Sequence, residues 1–239
     1  MFHFFIHSVA FVHQHLSIRS LLLPLACVVF CSTAHALEKS DILKHIVQQC
    51  IDPSVSGYCD QCRTPLLQAG CAGKSTCKAT TDIWAETAEF VAIRDIKMCG
   101  CPADFVHGLV MPKAIVTGVE DERRPDAIWQ FAWDVATQRM PLADIALAVN
   151  SQNKRTQNQL HVHLVRLKPG PLPALDASWV AQTPHLHDVW QVAKQAATSL
   201  NMPEYGVLVA AAPSGGYRVA LTTLSPEGQF TQAVCEPRH

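Results

Sequence analysis

The chain has 239 residues, of which 49% are hydrophobic and 16% charged, and its 19 basic and 20 acidic residues leave a formal net charge of −1. A near-neutral chain with no basic block argues against nucleic acid as a partner, and the composition excludes disordered, collagen-like and coiled-coil classes. No apolar run reaches the roughly 20 residues of a membrane span with clean flanks.

Residues 1–36 carry one charge, Arg19, and no acid. The apolar run Leu21–Cys31 is broken only by Pro24, and Ala34-His35-Ala36 follows it. A basic residue, a short apolar run and a small-residue site are the parts of a secretory signal. The apolar stretch Met1–His15 ahead of Arg19 leaves an uncleaved anchor as the alternative. The expected destination is the periplasm or the cell exterior. Cysteine usage agrees: beyond that segment stand Cys50, Cys59, Cys62, Cys71, Cys77, Cys99, Cys101 and Cys235. An even set in an oxidising compartment favours disulfides, with zinc at Cys59, Cys62, Cys71 and Cys77 as the rival. Cys235, if paired, must tie back to the early cluster. Residues 37–87 therefore read as a cysteine-rich, disulfide-stapled N-terminal region and 88–239 as the main domain.

Asp41–Cys50 reads as a short helix capped by Ser40 or Asp41. Phe90–Ile93 and His107–Met111 read as strands, the second ended by Pro112. Pro125–Arg139 is expected to be a helix with Ile128, Phe131, Ala132 and Val135 on one side. Trp129 and Trp133, four apart, read as packing. Ile145–Val149 is a strand and Ser151–Asn158 a polar loop. Asp188–Leu200 is a second helix with Val189, Val192, Ala193, Ala196 and Leu200 along one side, and His185 and His187 before it read as surface residues. Tyr205–Ala211 and Tyr217–Thr223 form a hairpin around Pro213-Ser214-Gly215-Gly216. The mixture predicts an α+β domain built on an antiparallel sheet with flanking helices.

Gln159–Leu167 is the most informative strand. At period two it sends Leu160, Val162 and Leu164 one way and Gln159, His161 and His163 the other. Two imidazoles at this spacing suit metal ligation or catalysis. No Asp or Glu lies between Asp144 and Asp176, and Asn150, Lys154, Arg155, Thr156 and Gln157 precede the strand. Amides, hydroxyls and cations without carboxylates predict an anion site, for example for phosphate. Lys154 and Arg155 also fit an ordinary solvated loop.

The run Asn150-Ser151 through Arg155-Thr156-Gln157-Asn158-Gln159-Leu160-His161-Val162-His163-Leu164 resembles the signature of the histidine triad (HIT) superfamily. Within it, Ala148-Val149-Asn150-Ser151, Arg155-Thr156-Gln157-Asn158 and Lys168-Pro169 are similar to the bacterial CDP-diacylglycerol pyrophosphatase family. His107-Gly108-Leu109-Val110-Met111-Pro112-Lys113 resembles the first HIT strand, and the likeness runs from about residue 88 to 170. It implies a HIT-like sheet, His161 as nucleophile, and His163, His107 and Thr156 as further catalytic residues. Asn150, Arg155, Gln157 and Gln159 would bind phosphate or nucleotide. Gln159 departs from the family, standing where the first triad histidine is usual; it donates and accepts hydrogen bonds but carries no titrating proton. His107 also fits a strand histidine satisfied by backbone.

The implied activity is hydrolysis of CDP-diacylglycerol to CMP and phosphatidate through a nucleotidyl-histidine, with no metal and no cofactor. The implied partners are the phospholipid substrate and a membrane surface, with Leu172, Leu175 and Trp179 as apolar candidates for acyl chains. A homodimer is left open. The alternatives are a HIT-like hydrolase of a soluble nucleotide conjugate and a cysteine-rich periplasmic module holding zinc at His161 and His163.

Overall fold

Short runs rich in Val, Ile, Leu and Ala pair here only with antiparallel neighbours. The structure, a computed structural model, describes residues 39–50, 83–95, 98, 101–102, 104–170 and 173–235. The strands are β1 (Ile83–Glu86), β2 (Phe90–Arg94), β3 (His107–Pro112), β4 (Ile145–Val149), β5 (Val162–Arg166), β6 (Trp179–Thr183), β7 (Gly206–Ala211) and β8 (Tyr217–Thr222). They form an eight-stranded antiparallel sheet in the order β1-β2-β3-β5-β4-β7-β8-β6. The helices are α1 (Ile42–His45, continued by a π-turn to Cys50), α2 (Ala127–Thr137), α3 (Val189–Ser199) and α4 (Pro226–Phe230). The architecture is α+β, as the sequence predicts.

One face of the sheet is sealed by α2 and α3. Val110, Ile145, Leu147, Val162, Leu164, Val207 and Val219 meet Ile128, Trp129, Ala132, Trp190 and Ala193 in a single buried cluster. Trp129 and Trp190 pack with ring centroids 4.6 Å apart, and the Trp190 indole donates to the Pro125 carbonyl at 3.1 Å. That carbonyl closes the entry to α2, so the helix begins two residues after the proline that predicts it. Trp129 and Trp133 are packing residues, both buried.

The opposite face carries two separate apolar patches. Leu43, Ile46 and Val47 of the first helical segment cover Val91, Ile93, Leu109 and Met111. Ala146, Ala148, Val165, Leu208 and Ala220 are covered by Leu175 and Phe230. Between these patches, β3 and β5 place His107 and His163.

Several expectations shift. The His strand is shorter than its alternation suggests: Leu160 donates to the Val116 carbonyl at 2.7 Å, so residues 159–161 leave the ladder before β5 begins. Both faces of β5 are buried from Val162 to Val165, because a sheet covered on both sides gives its polar residues no open face. In α3 the buried line is Val189, Trp190, Ala193 and Ala197, and Leu200 is exposed. Strands β1 and β6 have no sequence counterpart; both are sheet edges, half-exposed, with no clear period. The β7–β8 hairpin turns through Gly215 and Gly216, both at positive φ (93° and 72°), which glycine adopts without steric cost.

The expected signal segment, and most of the expected disulfide-rich region, lie outside the described residues. The described disulfide joins Cys101 to Cys235 across 134 residues, with Cα atoms 5.7 Å apart, so the late cysteine does tie back to the early cluster. Among the described residues, no helix is long and apolar enough to cross a membrane.

Candidate active site

His161 stands just before β5 and is buried. Its Nδ1 lies 2.7 Å from the backbone carbonyl of Gln159. A carbonyl accepts only, so Nδ1 carries the proton and the lone pair resides on Nε2. This is the tautomer a nucleophilic imidazole needs. The carbonyl is held because the Gln159 side chain is itself anchored: its Nε2 donates to the carbonyls of Pro112 and Ala114, each at 2.8 Å. Gln159 is fully buried and acts on the Pro112–Ala114 bend and the His161 ring.

His163 sits beside His161, ring centroids 4.7 Å apart and nearly perpendicular. It pairs across the sheet with Leu109 on β3 and Ala148 on β4, and the small Ala148 leaves room for the ring. Both His163 nitrogens face protein groups: Nδ1 lies 3.1 Å from His107 Nε2, and Nε2 lies 3.2 Å from Glu227 Oε2. His107 is fully buried; its Nδ1 donates to the Ala233 carbonyl at 3.0 Å, and its Nε2 lies 3.3 Å from Asp95 Oδ2.

Asn150, at the end of β4, organises the other side. Its Nδ2 donates to Glu227 Oε2 at 2.9 Å, and its Oδ1 accepts from the Ser225 hydroxyl at 2.8 Å. Ser225 also caps α4, accepting from Gly228 N at 3.1 Å. The amide orientation of Asn150 is thereby assigned by its network.

The remaining expected residues make contacts elsewhere. Arg155 is buried and donates to Glu120 at 2.6 Å. Partial burial works to raise the Glu120 carboxyl, yet the hydrogen bond and charge of Arg155 hold it below its ordinary value of 4.5. A side chain at Gly118 would have to displace the ends of the Arg155 and Glu120 side chains. Thr156 exposes its side chain, and its carbonyl accepts from Ser40 N at 2.8 Å. Gln157 Oε1 accepts from Leu43 N at 3.4 Å, fastening the loop to α1. Lys154 is exposed and His185 and His187 stack on the surface. Leu175 is buried under the sheet and Trp179 carries the Arg218 guanidinium on its ring; Leu172 lies outside the described residues.

The expectation of a site without carboxylates is overturned. Asp95 and Glu227, both buried, reach the histidines. They escape a local reading because they lie far away in sequence. Asp95 continues the β2–β3 ladder, its N–H donating to the His107 carbonyl at 2.9 Å. For Glu227 a signal existed: Ser225-Pro226-Glu227 reads as a helix cap, a first-turn proline and a first-turn acid. A cleft of about 1080 Å³, lined in part by Phe105, Arg166, Lys168, Thr231 and Ala233, adjoins the His107 side of the centre.

The fold and site define an antiparallel α+β protein that carries a set of buried histidines ordered by backbone carbonyls and carboxylates. The family model of CDP-diacylglycerol pyrophosphatase matches residues 38–209, and the chain belongs to that family. A CDP-diacylglycerol pyrophosphatase of Yersinia pestis is 33% identical over 148 residues, covering 51% of this chain and 57% of the relative. Proteins of the same name from Mycobacterium bovis and Mycobacterium tuberculosis are 33% identical over 78 residues, 28% of this chain and 30% of each relative. The chain thus spans little more than half the length of the first of these relatives, and less of the others.

Proposed function

We propose that the chain hydrolyses the pyrophosphate of CDP-diacylglycerol to CMP and phosphatidate, through a nucleotidyl-histidine on a HIT-like site. The observation that carries this reading is the 2.7 Å contact between His161 Nδ1 and the Gln159 carbonyl, which sets the lone pair on Nε2. Nε2 attacks the phosphorus of the CMP moiety and the bond to the bridging oxygen breaks. Phosphatidate departs with the bonding pair. Water then attacks the same phosphorus and loses a proton to solvent, the P–N bond breaks, CMP leaves, and the electron pair returns to Nε2. As negative charge leaves the ring, the Gln159 carbonyl stabilises the cationic imidazole that the covalent step creates. Thr156, exposed on the loop leading to His161, is assigned as a hydroxyl donor to the phosphoryl oxygens. His163 is assigned as the residue that packs and orients His161, and Asn150 as its support through Glu227.

The Cys101–Cys235 disulfide supports an exported protein. A lipid substrate places the working enzyme at a membrane surface.

The test is CMP release from CDP-diacylglycerol in detergent micelles, with a label on the phosphate of the CMP moiety. Wild type is expected to release labelled CMP and, on rapid denaturation, to retain label on protein; His161→Ala is expected to do neither. A wild-type chain that is folded and oxidised yet releases no CMP would overturn the lipid assignment. Release of CMP from a water-soluble CDP conjugate in the same assay would then assign a soluble substrate. Full activity in His161→Ala would overturn the nucleophile.

A further inference from the structure

Three candidate ligand atoms converge beside the His161–His163 ring pair. His107 donates its Nδ1 proton to the Ala233 carbonyl, which leaves the lone pair of the neutral ring on Nε2. His163 Nε2 lies 3.2 Å from Glu227 Oε2 and 3.4 Å from the Asn150 amide nitrogen, and its Nδ1 turns toward His107. The two ring nitrogens are 3.1 Å apart and share a proton between them, with Asp95 Oδ2 3.3 Å from His107 Nε2. Glu227 Oε1 stands at the rim, 3.6 Å from the same nitrogen. One divalent cation satisfies Asp95, His107 and His163 together.

We infer that Asp95 Oδ2, His107 Nε2 and His163 Nδ1 form a binding site for Zn²⁺. The three ligand atoms lie within 4.8 Å of one another and all three residues are buried. Tetrahedral zinc, with bonds of about 2.0–2.1 Å, needs its ligands roughly 3.3 Å apart. The donor set of two imidazoles and one carboxylate suits zinc, and the outer contacts are those that metal-bound histidines carry: a backbone carbonyl on His107 and a carboxylate on His163. Charge points the same way. Asp95 and Glu227 bring two buried carboxylates onto His107 and His163, and His163 packs against the ring that must meet a pyrophosphate anion. A divalent cation neutralises both and removes that repulsion. The ion acts as a structural and electrostatic counterweight, since His161 keeps its own proton on the Gln159 carbonyl.

The test uses the full-length oxidised chain dialysed against Zn²⁺ and then against metal-free buffer. Wild type and His161→Ala are expected to retain one zinc per chain by atomic emission, and their melting temperature to fall on chelation. Asp95→Asn and His107→Ala are expected to bind Zn²⁺ at least tenfold more weakly and to lose the chelator-sensitive shift. X-ray absorption of zinc-loaded wild type, which needs no variant to fold, is expected to show only nitrogen and oxygen ligands at about 2.0–2.1 Å. Sulfur near 2.3 Å, which would place the metal on the cysteines, overturns the site. So does a wild type that retains no zinc, or ligand variants that retain it as firmly as wild type.

Discussion

The two faces of the sheet are built from the same strands and solve opposite problems. On the helix-covered face, alternate residues of β2, β3, β4, β5, β7 and β8 form one continuous apolar layer under α2 and α3. On the other face the apolar cover is split in two, and His107, His163, Asp95 and Glu227 occupy the interval. Burying those groups costs free energy that apolar side chains in the same places would not. Every one of them is met by a carbonyl, an amide or a partner ring. One face holds the molecule together, and the other spends part of that stability on a centre of fixed tautomers and dense charge.

Substitutions on the two faces should therefore separate activity from stability. The largest effect expected is on the histidine face: His161→Ala should lower the CMP-release rate by about 10⁶-fold, the scale seen when a nucleophile is removed, with little change in melting temperature. On the helix face, Trp129→Ala should cost about 3–5 kcal/mol of stability, read by denaturant unfolding. Its folded fraction should keep wild-type turnover. Cys235→Ser should cost about 2–4 kcal/mol, because it opens a loop of 134 residues. It should also reduce activity, since Ala233 loses the tether that aligns its carbonyl with His107. The smallest effect belongs to the Arg155–Glu120 pair: Glu120→Gln should cost about 1 kcal/mol at neutral pH. Because the native Glu120 carboxyl is held below 4.5, its contribution is complete above that value and shrinks as pH falls from there through the lowered native value. Glu120→Gln should accordingly flatten the acid limb of a stability-against-pH curve.

The sequence reveals these two faces unequally. The helix face is legible in Ile128, Ala132 and Val135 and in the apolar strands, since each pattern is local. His161 is legible as well, and so is Asn150, because both lie in one short run. Asp95, Glu227 and Ala233 are not, because they meet His107 and His163 only after the sheet is assembled. Arg155 reads as a phosphate ligand in a stretch without acids, but the fold brings Glu120 to it. Strands β1 and β6 are silent because edges bury too little to impose a period.

The contact between His107 and the Ala233 carbonyl spans 126 residues, and Glu227 follows His163 by a similarly indirect route around β6, β7 and β8. Such long-range pairings carry a larger loop-closure entropy than local ones. The sheet and the centre it bears therefore have separate requirements. A chain with all eight strands in register still lacks an aligned His107 unless residues 225–235 dock. The centre is a separate fastening, dependent on its last segment as much as on the sheet beneath it.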